Sequence, residues 1–275
     1  PIIEPHMMEL NQGNNINGPS LIKVPDWIEN PLGKYYLYFG HHGGQYIRLA
    51  YSDNVEGPYK VHHPGTLQKD QTNCISHIAS PDVHIDEESR IGDKEAQVKE
   101  GGQKSFISWS NDGINFETDS KVLGEFYFRV FKYKDKFYSI AKNKNIDGIV
   151  YESDSWEGEF KPMFNLLPNI RHTACLVKEN ILFLFYTTIG DTPESIKVLE
   201  LDLDTWEPKR VEVLIKPTEE WEGGNLPLTK SKPGSSTVYS GGAVKELRDP
   251  CIYDDYLLYS LKGELGIGIS RLEFI

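Results

Sequence analysis

Short runs of aromatic and β-branched residues, broken by tight polar turns, recur along this chain in groups of three. The first group covers 19–24, 35–39 and 46–51 and closes on Ser52-Asp53 and Gly57-Pro58-Tyr59. A later group covers 130–133, 137–141 and 149–152 and closes on Ser153-Asp154. The next covers 174–177, 181–186 and 196–201, ending at Asp204-Thr205-Trp206, and the last covers 251–253, 256–259 and 267–270. The spacing, the turn residues and the enrichment in Tyr, Phe, Ile and Val predict strands rather than buried helices. A poorer copy lies between the first and third groups, with 81–85 and 105–109 as strands and Ser110 to Gly113 as its closing turn. Its middle stretch, 92–102, is polar and predicts a loop, so 91–103 is expected to be irregular.

Repeats of about 40 to 50 residues built from strand-turn-strand units predict propeller blades, because one such unit cannot cover both faces of its own sheet. Five groups predict an all-β, five-bladed β-propeller forming a single domain over 1–275. The last group has no room for a fourth strand, while 2–8 belongs to no group. The chain start is therefore expected to complete the last blade and close the ring. A β-sandwich accommodates the same strands, but it does not account for the recurring Ser-Asp closing turn.

Composition narrows the function classes. Lys and Arg total 29 against 41 Asp and Glu, a net charge of −12, which leaves no basic excess to neutralise a phosphate backbone. A nucleic-acid partner is not expected. No apolar run approaches the roughly 20 residues that span a bilayer, so no membrane partner is expected either. Cys74, Cys175 and Cys251 are widely separated and read as small buried hydrophobes. The numbering starts at Pro1 without a signal-type segment. A secreted or periplasmic location fits if such a signal was removed upstream.

In an antiparallel meander, the start of each first strand, the loop after each second strand and the crossovers share one face. That face collects Asn17, Ser20, His77, Asp82, Arg129, Arg171, His172, Arg248 and Asp249 from strand starts, and His41, His42, Asn143, Asp191 and Glu264 from loops. A long crossover over 216–245 carries Trp221 and is expected to overhang it. Arginines, histidines and carboxylates around one mouth suit a hydroxyl-rich ligand, through charge-assisted hydrogen bonds and acid-base chemistry. The competing readings are structural. Arg248-Asp249 would tie neighbouring blades, His172 would be a core histidine, and His41-His42 a solvated turn. The Ser-Asp closing turns are expected to be structural.

The phrases Gly18-Pro19-Ser20-Leu21-Ile22 with Lys34 to Phe39, Ser80-Pro81-Asp82-Val83 and Leu247-Arg248-Asp249-Pro250 resemble those of the five-bladed propeller glycoside hydrolases. The similarity is to family 43 and, more distantly, families 32, 68, 117 and 130. The resemblance implies hydrolysis through an Asp base in the first blade, an Asp that tunes the acid, and a Glu acid. It requires no cofactor, and it alone implies an ion in the axial tunnel. Where the family has Asp-Pro in the first blade this chain has Gly18-Pro19, and Arg171-His172-Thr173 stands where the acid phrase would open the fourth blade. In family 117 a histidine is thought to be the acid, a part that His172 would take by resemblance.

The expected function is hydrolysis of an oligosaccharide at the central funnel by a glycoside hydrolase-like enzyme, with a non-catalytic carbohydrate-binding propeller as the alternative. The candidate catalytic residues are Asp82, Asp249, His172 and Glu264. The candidate ligand-binding residues are Asn17, His41, His42, His77, Arg129, Arg171, Arg248, Asp191 and Trp221. Base and acid are not assigned among the carboxylates.

Overall fold

In the computed structural model, which describes residues 1–9, 12–85, 91–99, 102–144, 146–234 and 242–273, each apolar run becomes an antiparallel strand. The first group is the sheet β1 (Asn17–Lys23), β2 (Tyr35–Gly40), β3 (Arg48–Ser52) and β4 (Lys60–His62). The second is β5 (Ile78–Ala79), β6 (Val83–Ile85), β7 (Ile91–Lys99), β8 (Gly102–Ser110) and β9 (Glu117–Thr118). The third is β10 (Gly124–Tyr133), β11 (Lys136–Asn143), β12 (Asp147–Ser153) and β13 (Lys161–Pro168). The second and third groups are linked by β10 pairing with β8, so that together they form one nine-stranded sheet. Then follow β14 (Ile170–Lys178), β15 (Ile181–Thr188), β16 (Ile196–Asp202) and β17 (Pro208–Ile215), and finally β18 (Arg248–Tyr253), β19 (Tyr256–Ser260) and β20 (Ile267–Arg271). Apart from strands, the described residues form only short 3-10 turns. None of their helices is long and apolar enough to cross a membrane.

Burial explains which strands were legible. The second strand of the first group, Tyr35–Gly40, is buried on both faces from Tyr36 onward, and its sequence is correspondingly apolar throughout. The fourth strands β13 and β17 are mostly exposed and carry too little apolar pattern to announce themselves. The polar stretch 92–102 is the clear departure from expectation. Instead of a loop it contributes β7, paired with β8 in a continuous ladder from Ile91 opposite Ser110 to Lys99 opposite Gly102, and with β5 and β6 on its other edge. Backbone pairing on both sides satisfies such a strand whatever its side chains. Residues 100–101 of that stretch lie outside the described residues.

Five apolar clusters, each between neighbouring groups, hold the sheets together. Ile22, Tyr36 and Leu49 pack against Val83, Ile91 and Phe116, and Ile107 packs with Phe128 and Tyr151. Phe131 and Ile140 meet Leu182 and Leu199, while Phe185 and Val198 meet Leu257 and Tyr259. Leu21, Leu37 and Phe39 pack with Leu258 and Ile267, and Ile3 joins that last cluster. Ile2 N–H donates to the Ile267 carbonyl at 2.7 Å, and Ile267 N–H donates to the Ile3 carbonyl at 3.0 Å. The chain start thus bridges to β20.

The closing turns have one mechanism. Ser52, Ser110 and Ser153 are buried, and each hydroxyl accepts a backbone N–H two residues on, from Asn54, Asp112 and Ser155.

Candidate active site

The first strands of four groups share a local irregularity that shapes the site. Register shifts fall between Asn17 and Ser20, Phe126 and Arg129, Ile170 and Thr173, and Arg248 and Cys251. Bulges of this kind re-aim side chains next to active sites. Gly18, Tyr127 and Asp249 take φ of 59°, 56° and 48° there, and Ser80, at the break between β5 and β6, takes 63°. Such conformations cost a residue with a Cβ. At Gly18 an added Cβ would stand 3.3 Å from the Ser80 Cα, so this packing favours a residue without one.

Above the bulges opens a cavity of about 540 Å³. Tyr127, Arg171 and His172 line it from the bulges, Lys142 from the end of β11, and Glu264 from the loop after β19. His42, His77 and Gln103 form one side, and Pro233 and Gly234 of the long crossover the other. Part of that crossover, 235–241, lies outside the described residues.

His172 and Asp249 form the central pair. His172 Nδ1 lies 2.8 Å from Asp249 Oδ1, both side chains being almost wholly buried. Asp249 also accepts from the Ser260 hydroxyl at 2.8 Å. Burial pushes the Asp249 carboxyl up, but His172 and the Ser260 hydrogen bond outweigh it and hold it down to about 2. Burial moves His172 below its ordinary value, and Asp249 offsets only part of that. The His172 ring also lines the cavity, so this pair stands at the cavity wall. The Tyr127 ring stands edge-on to the imidazole at 4.4 Å.

Around this pair the charges are locked together. Arg171 Nε donates to Glu194 at 2.7 Å, and its other two nitrogens donate to the Lys232 and Gly234 carbonyls. Arg248 donates to Glu246 at 3.0 Å through Nε and to Glu264 at 2.7 Å through Nη1. Burial would raise the Glu194 carboxyl, yet Arg171 and Arg248 hold it low, whereas at Glu246 burial wins and the carboxyl is raised. The second Glu264 oxygen accepts from Asn15 at 2.7 Å and Asn17 at 3.0 Å, which orients this carboxylate at the cavity wall.

The expected residues therefore divide. His172, Arg171, His42, His77 and Glu264 line one cavity, with Asp249, Arg248 and Asn17 directly behind it. Asp82 is elsewhere. It lines a second cavity of about 420 Å³ beside Cys175 and Cys251, accepts from the Val130 N–H and contacts His84 Nε2 at 3.0 Å. Arg129 donates to the carbonyls of Thr173, Ser80 and Pro81 and so ties three first strands together. Asp191 pairs with Lys197 at 2.6 Å. Trp221 packs in the apolar cluster of Leu257 and Tyr259, close against Gly268, and is not a wall of the cavity. His41 is half-buried beside Tyr46 and pushed down to about 4 by desolvation and then by Arg48. Sequence reasoning missed Tyr127, Lys142, Gln103, Glu194 and Glu246. Phe126, Tyr127 and Lys142 lie outside the predicted strands 130–133 and 137–141, and only the cross-strand register brings them together.

Among the described residues no group of three or more His, Cys, Asp or Glu side chains could hold a metal. The axial carboxylate Asp82 already faces the Arg129 guanidinium at 3.8 Å.

No protein-family model matches the chain. It is 30% identical to the uncharacterized protein R118 of Acanthamoeba polyphaga mimivirus, over 94% of this chain and 83% of that protein. Among solved structures, a family 43 enzyme from Xanthomonas citri complexed with xylotriose superposes on 100% of this chain and 91% of its own, at TM-score 0.68 and 12% identity. A family 43 β-xylosidase/α-arabinofuranosidase from a compost metagenome, also with xylotriose and in a calcium-free form, covers 95% of this chain and 92% of its own at TM-score 0.65 and 12% identity. A structure from the family 130 mannoside phosphorylases and hydrolases covers 95% and 87% at TM-score 0.63 and 10% identity. The chain thus belongs to one family with that mimivirus protein and has the β-propeller fold of the family 43-like glycoside hydrolases.

Proposed function

We propose that this chain is a single five-bladed propeller, closed by its N-terminal segment on β20, and that it hydrolyses an oligosaccharide in the cavity around His172. Five inter-sheet clusters and the Ile3–Ile267 bridge support the ring. The observation that carries the activity is the buried His172–Asp249 pair on the wall of a cavity large enough for a small saccharide. Hydrolysis needs one proton delivered to the leaving oxygen and one removed from water. His172 in its imidazolium form delivers the first from Nε2, and Asp249 stabilises that cation and fixes the ring. Glu264, oriented by Arg248, Asn15 and Asn17, is the carboxylate placed to polarise water. Tyr127, His42 and His77 offer rings against which a sugar face can stack.

A second reading has its own support. Gly18 stands where the family has a carboxylate, and Glu264 already accepts from three side chains, features that suit a saccharide-binding propeller without turnover. A hydrolysis and binding screen on xylo-, arabino- and manno-oligosaccharides, run from pH 4.5 to 8 with Asp249→Asn and His172→Gln alongside, tests both. Hydrolysis strongest on the acid side and lost in both variants is the expected result. Binding without hydrolysis selects the second reading, and absence of both defeats the carbohydrate assignment.

A further inference from the structure

The register of the propeller makes one cavity residue an outlier. The positions opposite the bulges are Gly40 facing Asn17, Thr188 facing Ile170 and Ser260 facing Arg248, all small. Opposite Phe126 the same position holds Lys142. A long cation thus stands at the cavity wall where the other sheets have almost no side chain.

Lys142 is only 4% exposed, and its ammonium has no carboxylate within 4.0 Å among the described residues. Its neighbours are the ring faces of Phe126 and Tyr127, each 5.8 Å from Nζ. The charges around it are committed to one another. Arg171 is spent on Glu194 and two carbonyls, Arg248 on Glu246 and Glu264, and Asp249 on His172 and Ser260. The arginines expected to grip a ligand are therefore engaged, and the lysine is the cation left over. A buried ammonium without a counter-ion is costly. Burial, followed by Arg171, accordingly moves Lys142 down to about 7, with Glu194 and Asp249 offsetting part of this and Arg248 adding to it. An anion arriving in the cavity would return it to its charged form.

We propose that Lys142 is the anion-recognising residue of this cavity and that its ligand is an acidic sugar, bearing a carboxylate or a phosphate. The sugar part rests on the carbohydrate reading above, and the anion part on Lys142 itself. Calorimetric titration of the full chain at pH 6.5 with D-galacturonate, D-galactose, D-galactose 6-phosphate and inorganic phosphate separates them. Galacturonate or the phosphosugar should bind at least about tenfold more tightly than galactose, since one charge-assisted contact in a desolvated site is worth that much. Whichever of the two binds more tightly names the anion. Lys142→Met should abolish the preference while leaving galactose affinity within about threefold, because the stem still packs. Lys142→Gln serves if the Met variant aggregates, and Lys142→Arg should keep the preference. Equal affinity for neutral and acidic sugars, or a preference that survives Lys142→Met, overturns the anion site and leaves the carbohydrate reading standing. Phosphate bound in a Lys142-dependent way with no sugar bound does the reverse. No binding by any probe defeats both.

Discussion

Arg171 and Arg248 come from the first strands of neighbouring sheets and donate to one shared acceptor, the Gly234 carbonyl, at 3.3 and 3.2 Å. The crossover is thereby pinned over the cavity by the same guanidinium groups that neutralise Glu194, Glu246 and Glu264. Removing one of these cations leaves buried carboxylates without a partner, a loss of about 3–5 kcal/mol in comparable networks. Arg248→Met should lower stability in urea by that amount, and Arg248→Lys should recover only part of it, since an ammonium cannot serve Glu246 and Glu264 together. A loss under about 1 kcal/mol, the usual range for surface pairs, would show the network to be dispensable.

Asp249 raises the His172 pKa against the opposing effect of burial. Asp249→Asn removes that anion, so the imidazole should titrate at still lower pH, seen in the histidine ring signals by NMR. Asn tolerates the φ of 48° at this position, so the fold should survive. If His172 is the acid of the proposed hydrolysis, the acid-side rate maximum moves down in step and the rate falls by about 10²- to 10⁴-fold, the usual contribution of acid-base catalysis. An unmoved histidine titration would mean that the pair is not coupled.

Lys142 makes stability depend on pH in the alkaline range. Its folded value is lowered to about 7, against an unfolded lysine near ~10.4, so between those values the unfolded chain binds more protons. The sign follows: Lys142 weakens the fold most below about pH 7, and stability rises as pH climbs toward about 10. Lys142→Met should therefore be as stable as the parent or more so near pH 7, and should lack this alkaline gain. Comparing the two chains by thermal melting across pH 6 to 10 isolates the effect from other groups. Parallel profiles would show that Lys142 has an ordinary ammonium.

The junction between chain start and β20 is testable without a ligand. Ile3 is fully buried with Ile16, Leu258 and Ile267. Ile3→Ala should cost about 2–5 kcal/mol, as buried Ile-to-Ala changes do. The exposed Val122→Ala should stay within about 0.5 kcal/mol. Equal, small losses in the two variants would mean that the fold does not depend on this segment.

The apolar strand runs and the Ser-based closing turns were legible because each depends on local signals. Runs such as Tyr36-Leu37-Tyr38-Phe39 are apolar enough to require burial wherever they fold, and Ser110 with Asp112 and Gly113 builds its turn from its own hydroxyl and carboxylate. The strand β7 was not legible, because pairing with β8 and β6 supplies what its composition does not advertise.

The site divides in the same way. Of the polar residues expected on one face, His172 and Glu264 line one cavity, and Asp249 faces His172. Sequence spacing could not show that Asp82 belongs to a second cavity, because both residues stand at the start of a first strand and only the folded chain separates the two linings. Nor could it show that Arg171 and Arg248 are consumed by Glu194, Glu246 and Glu264 while Lys142 has no carboxylate within 4.0 Å among the described residues. Composition and periodicity determine which segments must be buried and paired. Which charge faces which across the sheets depends on bulges, register and the order of strands around the axis, and those exist only once the chain is folded.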